Sequence, residues 1–256
     1  MRWRLLATPP LGAVDNMAYD EALLRRAAAT GEAVLRVYGW SGPALSLGRN
    51  QPARDDYDEG AMRDRGISVV RRLTGGRAVL HHREVTYSVT APDAFGGTRR
   101  ESYRRINDLL VRGLHALGAD ASIAAPSRRS PAPSTAPCFE EPTAGELVLG
   151  SRKLVGSAQY REGGAILQHG SILIEDDQLL VTSLLRLPVA AAPPPATLRE
   201  ALGRAPTIDE LAAVLFDAVG ELEDDRATKL TPDAAMSNAI GVAAERYRDA
   251  AWTWRR

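Results

Sequence analysis

Lys153 is one of only two lysines among the 32 lysines and arginines of this 256-residue chain, and it sits inside Gly150-Ser-Arg-Lys-Leu-Val-Gly-Ser-Ala-Gln159. Lysine is the cation whose pKa burial can move into a catalytic range, whereas arginine stays charged. A chain that writes nearly every cation as arginine has therefore marked a candidate site. The other lysine, Lys229, lies in the polar connector Asp-Arg-Ala-Thr-Lys-Leu-Thr-Pro and reads as a solvated surface residue.

Cys138, the single cysteine, stands fifteen residues before Lys153. A free thiol with a pKa of about 8.5 is only slightly ionised at neutral pH, and a nearby ammonium raises its thiolate fraction. A cysteine so placed can act as an acyl-carrying nucleophile. A lone cysteine is also commonly a small buried hydrophobe, and residue chemistry alone leaves both readings open.

Two further segments carry chemistry. In Arg71-Arg72-Leu-Thr-Gly75-Gly76-Arg77-Ala-Val-Leu-His81-His82 a strand runs into paired glycines flanked by three arginines. Glycine removes the Cβ that would block close approach, so such a loop can wrap an anionic or carbonyl-bearing group. A tight hairpin with solvated arginines fits the same residues. The segments Val155-Gly156-Ser157-Ala158-Gln159 and Gln168-His169-Gly170-Ser171 place small residues on what should be neighbouring strands. Small side chains on facing strands leave a groove in which a slim apolar ligand such as an acyl chain could lie, though a lone histidine such as His169 is more often a hydrogen-bonded structural residue. No metal-ligand set is read from the sequence.

The elements that must position these residues follow from periodicity. Asp15 is expected to cap a first helix carrying Met17, Ala18, Ala22 and Leu23 on one face, with Asp20 and Glu21 early and Arg25 and Arg26 late. Strands are expected over residues 33–40, 44–47 and 67–72, with a helix over 55–65 between the last two. A short run over 78–81 and an alternating strand over 85–89 follow the glycine loop. Ile106, Leu109, Leu110, Gly113, Leu114 and Leu117 keep helical spacing, and Gly118 supplies the stop. The four prolines of residues 125–137 predict an exposed irregular loop that delivers Cys138 to the next element. Runs at 146–149, 153–161 and 165–174 are broken by glycines and predict an antiparallel meander. Beyond the Pro193-Pro194-Pro195 connector, helices are expected through Ile208 to Val219 and over 234–251.

Composition sets limits. Acidic and basic residues balance at 32 each, so no bulk field holds the chain to nucleic acid or to an anionic membrane. One cysteine excludes an internal disulfide, and no apolar run reaches the roughly 18 residues of a membrane span. The start has too short an apolar stretch for a secretory signal. A soluble protein of the reducing cytoplasm is expected.

Taken in order, Asn16-Met-Ala-Tyr-Asp-Glu-Ala-Leu-Leu24, Leu45-Ser-Leu-Gly-Arg-Asn-Gln51, Arg71 to His81, Lys153-Leu-Val-Gly-Ser-Ala-Gln159 and Gln168-His-Gly-Ser171 resemble the successive motifs of the lipoate-protein ligase and octanoyltransferase superfamily. The resemblance implies an α/β (α+β) fold, a mixed, largely antiparallel sheet flanked by helices. This is the biotin/lipoyl protein ligase-like fold shared with biotin ligases and class II aminoacyl-tRNA synthetases. Residues 1–190 are expected to form the catalytic domain and 191–256 a helical extension packed on it. The biotin-ligase signature Gly-Arg-Gly-Arg is missing, which argues against that branch.

Within the superfamily, ligases usually show a third glycine where this chain has Arg77, and many carry a C-terminal accessory domain. Cys138-Phe-Glu-Glu-Pro-Thr-Ala-Gly-Glu-Leu-Val148 is similar to the nucleophile-bearing segment of the octanoyltransferase branch with a ligase-like scaffold. The resemblance thus implies transfer of an octanoyl group from octanoyl-acyl carrier protein, through a Cys138 thioester, to a lysine of a lipoyl domain of 2-oxoacid dehydrogenases or of the glycine-cleavage H protein. It implies Cys138 and Lys153 as catalytic residues. Arg71, Arg72, Gly75, Gly76, Arg77 and His81 are implied as the frame, and Gly156, Ser157, Ala158, His169 and Gly170 as the acyl groove. No cofactor is implied; ATP and magnesium would enter only for the alternative, an ATP-dependent lipoate-protein ligase. A noncatalytic acyl- or partner-binding protein is a second alternative, raised by His82 where the family usually has aspartate.

Overall fold

The computed structural model describes residues 1–125, 145–187 and 193–255. Cys138 and most of the loop expected to deliver it lie outside the described residues.

In chain order the elements are β1 (Trp3–Ala7), α1 (Ala13–Thr30), β2 (Ala33–Tyr38), β3 (Ala44–Leu47), α2 (Glu59–Asp64), β4 (Ser68–Arg71), β5 (Val79–His81), β6 (Glu84–Pro92) and α3 (Arg99–Leu117). Then come β7 (Ser122–Ile123), β8 (Leu147–Leu149), β9 (Arg152–Glu162), β10 (Ala165–Leu173), a 3-10 turn at Gln178–Leu184, α4 (Leu198–Leu202), α5 (Ile208–Leu222), β11 (Thr228–Lys229), α6 (Ala234–Arg248) and α7 (Ala250–Thr253). The main sheet runs β11-β1-β2-β6-β10-β9-β8-β7, and a small sheet runs β4-β3-β5. Five of the seven pairings in the main sheet are antiparallel; only β11-β1 and β1-β2 are parallel. The expected mixed, largely antiparallel sheet flanked by helices is present, with the β8-β9-β10 meander inside it.

Both faces of the central strands are covered, which is why β10 is buried at every residue. Alternation sends Val85, Tyr87, Val89 and Ala91 of β6 into one core with Ile106, Leu110 and Leu114 of α3 and Leu211 and Leu215 of α5. The opposite face packs Met17, Ala18 and Leu24 of α1 with Leu167 of β10 and Ala243, Ala244 and Tyr247 of α6. Residues beyond the proline connector therefore belong to both cores.

Local signals explain the helix ends. Thr98 and Glu101 close a capping box on α3, Thr207 and Glu210 close one on α5, and Gly118 stops α3 with φ 99°. Three expectations need correction. Gly12, not Asp15, is the N-cap of α1, because the chain already turns helical at Ala13 and leaves Asp15 in the first turn. The helix expected from residue 55 begins only after Asp58, whose carboxylate accepts from the Ala61 amide, while Asp55 holds φ 69°. The C-terminal helix breaks at Asp249, which caps α7. Lys229 is exposed, as read, but in a two-residue strand beside β1 rather than in a free connector.

Leu215 is fully buried between α3 and β-sheet residues. Leu215→Ala is expected to lower the unfolding free energy by about 2–5 kcal/mol, through lost burial and a residual cavity. Denaturant titration should show one shifted transition; a separate early transition for the C-terminal part would contradict the shared core.

Candidate active site

The glycine loop is built by close approaches that only glycine allows. Gly76 adopts φ 92°, a left-handed conformation, and an added Cβ would stand 2.8 Å from Arg72 Nη2. Gly48 lies so near the loop that its Cβ would fall 1.9 Å from the Gly76 carbonyl oxygen. The loop is also tied from below. Arg72 donates through Nη2 to the carbonyls of Gly75 (2.8 Å) and Arg77 (2.7 Å), and through Nη1 to Ser46 O (2.7 Å) and Oγ (3.1 Å).

Facing the loop are β9 and β10, in register Gly156↔Ser171, Ser157↔Gly170 and Ala158↔His169. Gly170 is required there: a Cβ would meet Ser157 Oγ at 2.6 Å and the Gly156 carbonyl and Tyr87 ring at 2.7 Å. Between loop and strands lies a cavity of about 510 Å³. It is lined by Arg72, Gly75, Gly76, Arg77 and His81 on one side and by Lys153, Gly156, Ser157, Ala158, His169 and Gly170 on the other. Met17, Trp40, Arg99, Tyr103 and Glu146 complete much of the wall.

Arg71 is not among the lining residues. Its guanidinium is turned away, donating to the carbonyls of Gly48 (2.6 Å), Gln51 (2.8 Å) and Thr253 (2.7 Å), so it fastens α7 to the segment beneath the glycine loop. His82 also points elsewhere. Its Nδ1 meets Asp177 Oδ2 at 3.2 Å on the exposed surface, and it lines no part of the cavity.

Lys153 is 2% exposed, and its Nζ lies 2.7 Å from the Glu146 carboxylate, itself 6% exposed. Glu146 carries no signal in residue periodicity; it was visible only as an acid eight residues after Cys138, in the same segment. A charge this deeply buried needs a partner, and the pairing gives Lys153 a fixed place in the wall.

Two carboxylate–histidine pairs sit on the face of the sheet that α1 covers. Asp20 of α1 reaches across Arg36 of β2, Ser88 of β6 and His169 of β10, which pair in one row of the sheet. Its Oδ1 accepts from Arg36 (3.0 Å) and Ser88 (2.8 Å), and its Oδ2 accepts from the Tyr38 hydroxyl (3.0 Å) and lies 2.9 Å from His169 Nδ1. Burial raises the cost of that charge, but the bonds from His169 and Ser88 and the Arg36 charge hold the carboxyl below its ordinary value. His169 Nε2 in turn meets Thr74 Oγ1, in the glycine loop, at 2.7 Å.

Glu84 makes the second pair. Its Oε1 accepts from Thr86 (2.7 Å) and lies 3.0 Å from His81 Nδ1, while its Oε2 accepts from Ser171 (2.7 Å). His81 Nε2 meets Ser46 Oγ at 2.7 Å, and the ring stacks on Trp40 with centroids 4.0 Å apart. Asp20, Thr74, Glu84 and Ser46 were absent from the expected site. For Asp20 there was a signal: Asn16 and Asp20, four residues apart, fall on the otherwise apolar face of α1.

The chain matches the lipoyl protein ligase A/B catalytic domain over residues 13–220 and belongs to that family, an enzyme of acyl transfer. It is 46% identical over 227 residues to octanoyltransferase LipM of Kyrpidia tusciae, covering 85% of this chain and 80% of the relative. It is 34% identical over 273 residues to octanoyltransferase LipM of Exiguobacterium sibiricum, covering 99% of each. In fold it is similar to lipoate-protein ligase A bound with ATP, with a TM-score of 0.78, 23% identity and 99% of each chain covered. It is equally similar to the lipoate protein ligase of the archaeal lipoylation system of Thermoplasma acidophilum, with a TM-score of 0.78 and 22% identity, covering 99% of this chain and 96% of that one. Among the described residues no helix is long and apolar enough to cross a membrane.

Burial holds the His81 imidazole below its ordinary 6.5 against the opposing pull of Glu84. The unfolded chain therefore binds more protons at His81 than the folded one. Its contribution to stability is intact above pH 6.5 and is lost as pH falls from there toward the folded-state value. Urea midpoints should fall between pH of about 7.5 and about 5.5, and fall less in His81→Gln; equal drops would contradict this assignment.

Proposed function

We propose that this enzyme moves an octanoyl group from octanoyl-acyl carrier protein to a lysine of a lipoyl domain or of the glycine-cleavage H protein, without ATP. The observation that carries the reading is the buried Lys153–Glu146 pair, set in the wall of a cavity opposite the glycine loop. It puts a fixed ammonium where an acyl carbonyl would develop negative charge. Glu146 belongs to the segment Cys138 to Val148, which resembles the nucleophile-bearing segment of octanoyltransferases, and the relatives named octanoyltransferase support the reaction class.

The chemistry balances without an activating nucleotide. The Cys138 thiolate adds to the thioester carbonyl; its sulfur–carbon bond forms, the carrier's carbon–sulfur bond breaks, and the released thiolate takes a proton. The acceptor amine then attacks the acyl-Cys138 carbonyl, its nitrogen–carbon bond forms, the carbon–sulfur bond to Cys138 breaks, and the departing Cys138 thiolate takes up the proton that the amine gives up. A thioester is already an activated donor, so amide formation from it runs downhill. Lys153 would stabilise both oxyanions and the Cys138 thiolate, and Glu146 would keep it aimed. Arg72 and the backbone of Gly75 and Gly76 would frame the carbonyl, while Gly156, Ser157, Ala158 and Gly170 leave room for a slim chain. Arg71 acts in this scheme only by holding the loop.

The test mixes enzyme, octanoyl-carrier protein and apo lipoyl domain without ATP and reads the mass of the domain. Octanoylation of its lysine is expected, and Cys138→Ala should abolish it. Turnover only with ATP, magnesium and free octanoate or lipoate, surviving Cys138→Ala, would instead establish the ligase. The noncatalytic alternative rested on His82, which lies away from the cavity.

A further inference from the structure

We infer that Asp20 is a positioning residue of the acyl site, acting through His169 on Thr74 and so on the glycine loop. The inference rests on the acyl-transfer reading above and adds to it a residue that does not itself line the cavity.

Asp20 is 1% exposed and sits on α1, whereas Thr74 lies in the loop between β4 and β5. The small sheet is joined to β6 and β10 through Ser46, His81, Glu84 and Ser171, at the far end of β5 from Thr74. The link between Asp20 and Thr74 is a chain of short bonds: Asp20 Oδ2 to His169 Nδ1 at 2.9 Å, then His169 Nε2 to Thr74 Oγ1 at 2.7 Å. Asp20 accepts only, so His169 must present a proton at Nδ1, and that fixes both the ring's plane and the nitrogen it turns toward Thr74. Thr74 passes the constraint on in two directions. Its carbonyl accepts from the Arg49 amide at 2.8 Å, and the next residues are Gly75 and Gly76.

The carboxylate is itself held from three strands' worth of donors. Arg36 and Tyr38 of β2 and Ser88 of β6 occupy it alongside His169 of β10. Arg36 is locked in turn by Asn16 Oδ1 at 2.7 Å and by Thr8 Oγ1 at 3.0 Å. Asp20 thus references the ring to the sheet, and the ring references the loop to the groove. Without the carboxylate, the imidazole can take the other tautomer or rotate, and Thr74 loses a partner of defined polarity.

The test is a double-mutant cycle with Asp20→Asn and Thr74→Val, read as kcat and KM for acyl transfer on the folded fraction, with Thr74→Ser as the conservative variant. Each single substitution should lower kcat/KM by up to about a hundredfold, chiefly in kcat. The double variant should be no worse than the weaker single, and Thr74→Ser should keep most of the rate. Multiplicative losses, or wild-type kcat/KM in folded Asp20→Asn, would overturn the inference. Should Asp20→Asn fail to fold, histidine 15N NMR of the wild type carries the test. A His169 ring protonated at Nδ1, whose Nε2 resonance shifts in Thr74→Val, supports it; a ring protonated at Nε2 alone, or unmoved by Thr74→Val, overturns it. A wild type that transfers only with ATP would sink the acyl-transfer reading instead, and the same cycle would then be run on ligation.

Discussion

The carboxylate of Asp20 is the fixed point from which much of the structure is measured. It lies on α1, fully desolvated, and is held by an arginine, two hydroxyls and an imidazole from β2, β6 and β10. Burying a charge is tolerable only when it is paired and hydrogen-bonded, and here every bond also sets a distance. Helix α1 cannot slide along the sheet without breaking the bonds of Asp20 to Arg36, Ser88 and His169. That rigidity reaches the site because His169 belongs to both the row and the cavity wall.

Close backbone approach is the second constraint. The Gly76 carbonyl fits only because Gly48 lacks a Cβ, and Tyr87 and Ser157 meet over Gly170 for the same reason. The Tyr87 hydroxyl joins Ser157 Oγ at 2.7 Å, with burial raising its pKa to about 12, so it remains a neutral hydrogen-bonding group. Into that setting the wall brings the buried ion pair Lys153–Glu146.

Much of this was legible in the residues. Glycine-broken alternation gave away the β8-β9-β10 meander, and the 3, 4, 7 spacing of Ile106 to Leu117 gave α3. What escaped did so for physical reasons. Arg71 and Arg72 look equivalent in sequence, but successive residues of an extended strand point to opposite faces, so one meets the glycine loop and the other the chain's C-terminal turn. The place of Asp20 on the apolar face of α1 was readable, but its partners were not, because they come from three strands distant in sequence. Glu146 was hidden likewise: its partner is set by the β8-β9 register, with Val148 opposite Lys153.

The proposed reaction passes through a covalent acyl-enzyme on Cys138. Its most direct test is peptide-resolved mass spectrometry of the enzyme after brief mixing with octanoyl-carrier protein, with neither ATP nor acceptor present. The account predicts an octanoyl increment on the peptide carrying Cys138, lost when apo lipoyl domain is added. An unmodified Cys138 in enzyme that nonetheless octanoylates the lipoyl domain would contradict it.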